Sequence, residues 1–150
     1  MRNPSPNSGR RAPAVCLLAT LCLAAALTTT PAAQDQTIWD GVYTEEQAAR
    51  GQRTYDQECA ACHLDDLMGD GIAPSLIGSA FFFRWSELSM GDMYTAIRTT
   101  MPQGAPASLS PSGYADISAY MLQKNDVPAG SMELPSDTDD LEGIMITEAQ

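Results

Sequence analysis

Five consecutive residues, Cys59-Ala60-Ala61-Cys62-His63, constrain the fold of this 150-residue chain more than any other feature. Cys59 and Cys62 are three residues apart, so they lie on the same face of one helical turn. His63 is the only histidine in the sequence. The rest of the chain must therefore be arranged around a single turn that presents two sulfur atoms and one imidazole ring.

This spacing is typical of covalent haem attachment. Sulfurs on one face of a turn can form thioether bonds with the two vinyl groups along one side of a porphyrin. The next residue is then carried under the ring, where a neutral imidazole nitrogen can bind the iron. We therefore predict one covalently bound haem c, with Cys59 and Cys62 as its thioether residues and His63 as an axial ligand of the iron.

Two other classes of protein stay open at this point. One is a haem protein whose second axial position is labile and reacts with peroxide or a diatomic gas. The other is an exported dithiol protein without haem, although thioredoxin-like sites of that kind accompany a βαβ pattern that the sequence lacks. A zinc site would need a fourth ligand beyond two cysteines and one histidine.

Residues 1–33 have the pattern of a secretory signal peptide. Three arginines precede an apolar run over residues 12–27, and small residues follow it. We predict cleavage after Ala32 or Ala33 and a periplasmic location. An uncleaved membrane anchor is the alternative, but the run is shorter than the roughly 20 apolar residues that span a bilayer. The sequence after residue 33 contains no segment that would span a membrane.

The mature chain is strongly acidic. Removal of the leader takes away three of the eight basic residues and none of the 19 acidic ones, which leaves a net charge near −14. Nucleic acid and anionic membrane surfaces are therefore poor partners for this chain, and we expect it to bind neither. The charge serves solubility, or it steers the protein towards a basic patch on a redox partner, and composition does not choose between these two roles.

Capping signals divide the mature chain into helices. They predict helices that begin near Thr44, Ser89 and Ser110 and end near Cys62, Thr100 and Asn125. Residues 64–78 are predicted to form an ordered loop. Residues 131–150 are acidic, have little periodicity and are predicted to be a flexible tail. The prediction is thus an all-α domain, residues 34–130, of three to four short helices and long loops wrapped around one haem.

Met101 is the best candidate for the second axial ligand. A thioether is the usual second ligand where electrons are passed without binding a substrate, because it raises the reduction potential of the haem. Met101 follows a predicted helix and precedes Pro102, which holds it out of helical conformation and lets the backbone turn against a flat ligand. The other methionines lie on apolar helical stripes, near the acidic tail or close to His63: Met90, Met93, Met121, Met132, Met145 and Met68.

At these residues the chain resembles the class I cytochromes c, especially small bacterial ones that accept electrons from periplasmic quinoprotein dehydrogenases. The resemblance covers about residues 44–130. It is carried by the Cys-Ala-Ala-Cys-His segment, Ala73-Pro74-Ser75-Leu76, Thr99-Thr100-Met101-Pro102 and Tyr114-Ala115-Asp116-Ile117-Ser118-Ala119-Tyr120. The acidity of this chain departs from the lysine-ringed mitochondrial type, so partners of that type do not carry over.

The resemblance implies a cytochrome c fold and electron transfer rather than enzymatic catalysis. It implies that Met101 is the distal ligand and that the carbonyl of Pro74 accepts a hydrogen bond from His63. It further implies that the first and last helices cross, with Gly51 and Tyr55 meeting the face around Tyr120. Trp85 and Arg98 are candidates for contacts to the haem propionates. The alternative is that Trp85 is a core residue and Arg98 a solvated surface residue. The implied partners are redox proteins, such as a quinoprotein dehydrogenase and a terminal oxidase.

Overall fold

The computed structural model of the chain describes residues 36–149, so the predicted signal peptide lies outside the described residues. Six helices and two very short strands form within this range. The helices are α1 (Glu45–Glu58), α2 (Ala60–His63), α3 (Gly78–Trp85), α4 (Met90–Thr100), α5 (Pro111–Lys124) and α6 (Thr138–Glu142), and the strands are β1 (Gln36–Thr37) and β2 (Ile144–Met145). A 3-10 turn, Ile38–Asp40, follows β1. The all-α class is confirmed.

None of the helices in residues 36–149 has the length and apolar character needed to cross a membrane.

Three of the helices begin where the capping signals predicted. Thr44 Oγ1 accepts a hydrogen bond from the backbone of Gln47 at the start of α1. Ser89 and Asp92 form a reciprocal capping box at α4, and Ser110 caps α5.

The first predicted helix is divided in two. Cys59 has φ −124° and ψ −35°, outside helical geometry, so α1 ends at Glu58 and the single turn of α2 follows. Cys62 and His63 still lie in one turn. His63 N–H donates to the carbonyl of Cys59 at 3.0 Å.

Helix α3 was not predicted. Its N-cap residue, Ile77, contributes no side-chain hydrogen bond. Instead, the Asn125 side chain accepts a hydrogen bond from Gly78 N–H at 2.8 Å. The group that caps this helix lies 47 residues away in sequence, so no local signal marks the helix start.

Helices α1 and α5 cross with their backbones in contact, as the resemblance implied. A Cβ atom on Gly51 would lie 1.9 Å from the carbonyl oxygen of Asp116, so only glycine fits at this point. One turn further along, the rings of Tyr55 and Tyr120 lie 5.4 Å apart. Arg50 donates two hydrogen bonds of 3.0 Å to the Asp116 carboxylate beside the crossing.

The C-terminal segment is not the predicted tail, because residues 131–149 pack against the domain. Four of its apolar side chains are buried: Leu134, Leu141, Ile144 and Ile146. Helix α6 packs on α4, and β2 pairs in parallel with β1. These apolar residues are too sparse and too mixed with acidic ones to produce a periodic pattern, so composition alone predicted a tail.

Gln47 attaches this segment to the first helix. Its side chain is 1% exposed. Its Nε2 donates to the carbonyl of Leu134 at 2.9 Å, and its Oε1 accepts from the N–H of Leu134 at 2.7 Å. Arg50, next to it on α1, also reaches Glu133 at 2.9 Å. Buried polar groups require such partners, so the segment completes the hydrogen bonding of α1.

We expect Gly51→Ala to lower the free energy of unfolding. The added methyl group would force the α1 and α5 backbones apart, at a cost near the upper end of the roughly 1–3 kcal/mol typical of overpacking. Chemical denaturation measures the change. Gly104→Ala is the control, because a Cβ there meets no atom within 4 Å. Equal stability of the two variants would contradict the close crossing.

We expect Leu141→Ala to lower the free energy of unfolding by about 2–5 kcal/mol, the usual cost of truncating a buried leucine. Leu141 is 0% exposed, whereas Met132, in the same C-terminal segment, is 65% exposed. Met132→Ala should therefore change stability by no more than about 0.5 kcal/mol. If Leu141→Ala had an equally small effect in denaturation, the segment would be a tail after all.

Candidate functional site

Six of the seven predicted site residues line one cavity of about 540 Å³: Cys59, Cys62, His63, Pro74, Trp85 and Met101. Its volume falls in the range of roughly 300–1,000 Å³ that is usual for cofactor and ligand sites. The lining combines residues from α1 and α2 with residues from α3, α4 and α5. Helix packing thus brings together predicted site residues as distant in sequence as Cys59 and Met101, which are 42 residues apart.

His63 is held in one orientation by the loop that follows it. The side chain is 7% exposed, and Nδ1 lies 2.9 Å from the carbonyl oxygen of Pro74. A carbonyl can only accept, so Nδ1 carries a proton, and in the neutral imidazole Nε2 then keeps a free lone pair. A neutral imidazole with its other nitrogen fixed in this way is a typical metal ligand.

The two cysteines are free thiols, Cys59 partly buried and Cys62 exposed. Burial raises the pKa of Cys59 to about 11, and the nearby Glu58 and Cys62 add to the effect. The Cys59 thiol is therefore protonated at neutral pH. Thiol-exchange sites lower the pKa of their attacking cysteine, since the thiolate is the nucleophile, so Cys59 does not have the environment of an attacking thiol.

Met101 enters the cavity lining from the end of α4. Its backbone is extended, with φ −126° and ψ 153°, as expected before Pro102. Two hydrogen bonds of 2.8 Å hold it, from its N–H to the carbonyl of Ile97 and from Tyr114 Oη to its own carbonyl. The thioether is therefore carried by a well-fixed piece of backbone.

Only one other methionine of the described residues, Met121, lines the cavity. It lies in the middle of α5 and is 2% exposed. Met90 and Met93 are buried elsewhere in the core, while Met68 and Met132 are 56% and 65% exposed. Two thioethers are thus candidates for a ligand in this cavity.

Of the two residues predicted to contact the haem propionates, Trp85 and Arg98, only one lies at the cavity. Trp85 lines the cavity, but Arg98 does not and its side chain is exposed. Because α4 turns by about 100° per residue, the face that presents Ile97 and Met101 directs Arg98 away. Arg84 lines the cavity instead, with its guanidinium 4.3 Å from the centre of the Trp85 ring. Sequence reasoning missed it because α3 was not predicted.

The residues present fit a haem c. Apolar side chains from the loop before α3, from α4 and from α5 form walls for a macrocycle: Leu76, Ile97, Ile117 and Met121. The cysteine pair, the imidazole and the thioethers supply the attachment and ligand chemistry, and the guanidinium of Arg84 suits a carboxylate substituent. Within residues 36–149 no cluster of three histidine, cysteine or acidic side chains could hold a bare metal ion.

The comparisons with known proteins agree with this site. A family model described as "Cytochrome C oxidase, cbb3-type, subunit III" matches residues 46–121, just over half of the chain. No curated protein and no solved structure gives a significant match. The matched range contains α1 apart from its first residue, all of α2, α3 and α4, and most of α5. It includes the cysteine pair, His63 and Met101. The chain therefore belongs to this family and is a class I cytochrome c with covalent haem c, a haem-based electron-transfer protein.

Proposed function

We propose that this protein is a monohaem electron shuttle of the periplasm, which carries single electrons from a dehydrogenase towards a terminal acceptor. The observation that supports it best is that one apolar cavity brings together Cys59, Cys62, His63 and Met101. When bound, the haem supplies an iron that alternates between the ferrous and ferric states. The remaining task of the chain is to hold that group and set its potential.

In this proposal each residue has a separate task. Cys59 and Cys62 would tether the macrocycle through thioether bonds, and His63 Nε2 and the sulfur of Met101 would be the protein ligands of the iron. With two protein ligands the iron would have no open coordination site, so no substrate bond would be made or broken. The Met101 thioether raises the potential, and the Pro74 carbonyl fixes the imidazole. Arg84 and Trp85, which line the cavity, would bind the propionates.

The leader, the matching family and the charge of the chain support the proposed location and partners. The leader pattern in residues 1–33 is typical of export. The description of the matching family names a subunit of a cytochrome c oxidase, so a terminal oxidase is the proposed acceptor. The resemblance to small bacterial cytochromes c suggests a quinoprotein dehydrogenase as the electron donor. A mature chain with five basic and 19 acidic residues would dock best on a basic surface.

The first test is haem retention. Produced in a host with cytochrome c maturation, the protein should show sharp bands in the reduced-minus-oxidised visible spectrum and should stain for haem after denaturing electrophoresis, because thioether bonds survive denaturation. The double variant Cys59→Ala/Cys62→Ala is the control and should lose the haem stain. A colourless wild-type chain under these conditions would return the cysteine pair to thiol chemistry.

The axial ligand can be tested with two matched substitutions. Met101→Leu should lower the midpoint potential on the order of 100 mV, a part of the roughly 0.8 V range that axial ligands span. Met121→Leu removes the other thioether of the cavity at nearly constant volume and should leave the potential almost unchanged. A redox titration of both variants decides the assignment. The opposite pattern would make Met121 the ligand.

Carbon monoxide separates the shuttle from the labile-site alternative. The ferrous wild-type protein should bind it slowly or not at all, because Met101 occupies the sixth position, whereas Met101→Leu should bind it rapidly. Rapid binding by the wild-type protein would contradict the proposed ligation and favour a protein that reacts with peroxide or a diatomic gas.

A further inference from the structure

The loop after α2 forms two hydrogen bonds with His63, one to its backbone and one to its side chain. The carbonyl oxygen of His63 accepts a hydrogen bond from Gly69 N–H at 3.0 Å. The imidazole Nδ1 donates to the carbonyl of Pro74 at 2.9 Å. The orientation of the ring therefore depends on where residues 69–74 place one carbonyl group.

Asp70 holds the part of this loop that leads to that carbonyl. Its Oδ1 accepts hydrogen bonds from the N–H groups of Ile72 and Ala73, each at 2.9 Å. Pro74 has no N–H, so these are the last two backbone donors before its carbonyl. The hydrogen bonds from Ala73 and then Ile72 keep the pKa of Asp70 below its ordinary value, and the carboxylate is ionised at neutral pH.

The opposite side of the loop is fixed by contact. Gly69 has φ +71°, and a Cβ there would lie 2.2 Å from the carbonyl oxygen of Ala73 and 2.8 Å from the carbonyl carbon of Pro74. The backbone of residue 69 thus packs directly on the segment that presents the Pro74 carbonyl. Asp70 also lines the cavity, and its side chain holds the same segment through the hydrogen bonds from Ile72 and Ala73.

We propose that Asp70 is a positioning residue, whose carboxylate fixes the Pro74 carbonyl and through it the orientation and donor strength of the His63 imidazole. The inference rests on the proposed role of His63 as an axial ligand. A firm hydrogen bond to Nδ1 makes the imidazole a stronger donor to iron, which favours the ferric state. Loss of the Asp70 clamp should weaken that bond and raise the midpoint potential.

Two substitutions separate positioning from charge. Asp70→Asn keeps an Oδ1 acceptor and removes the negative charge, whereas Asp70→Ala removes both. Both variants should shift the midpoint potential upwards, and Asp70→Ala should shift it further. The electron paramagnetic resonance spectrum of the ferric protein, which responds to the orientation and donor strength of the axial ligands, should change in Asp70→Ala and stay close to wild type in Asp70→Asn.

Asp66→Ala is the matched control. Asp66 also accepts a backbone hydrogen bond, from Met68 N–H at 3.0 Å, and carries the same charge four residues away, but it does not line the cavity. Its removal should leave the ferric spectrum unchanged and should move the potential less than either Asp70 variant. Equal effects of Asp66→Ala and Asp70→Ala would overturn the proposal.

Other outcomes are equally decisive. Identical potentials and spectra for Asp70→Asn and Asp70→Ala would show a charge effect alone and would overturn positioning. If Asp70→Ala does not retain haem, Asp70→Ser takes its place, because its hydroxyl is a weaker acceptor, and a spectrum matching that of Asp70→Asn would overturn the proposal. A high-spin ferric spectrum of the wild-type protein would instead overturn the proposed ligation, and this inference with it.

Discussion

The backbone contact between α1 and α5 is the constraint on which the other parts of the site depend. At Gly51 the two helices approach so closely that the carbonyl of Asp116 occupies the space of a Cβ atom. Helix α1 leads directly into the turn that carries Cys62 and His63. Helix α5 supports the other walls, since Tyr114 holds the backbone of Met101.

The same helix also determines the start of α3. Asn125, at the end of α5, accepts a hydrogen bond from Gly78 N–H and donates one to the carbonyl of Leu76. Through α3 it places Arg84 and Trp85 at the cavity. A single close crossing therefore fixes the relative positions of the attachment residues, the axial candidates and the basic edge of the site.

Features with a local physical cause were predictable from the sequence. Helix starts at Thr44, Ser89 and Ser110 follow from side-chain caps within three residues, and the cysteine pair with its histidine has a fixed spacing. Features that depend on distant partners were not. The cap of α3 comes from a residue far along the chain. Arg84 rather than Arg98 lines the cavity because of the directions in which α3 and α4 present their faces.

The hydrogen bonds of Gln47 have a consequence for the order of folding. Both polar atoms of its side-chain amide are satisfied by Leu134, which lies 87 residues later in the chain. Closing a loop of this length costs conformational entropy before any contact compensates for it, and contacts between such distant residues slow folding. Helix α1 therefore reaches its final environment only when the segment beyond residue 130 has packed against it, although it is the first long helix of the domain in chain order.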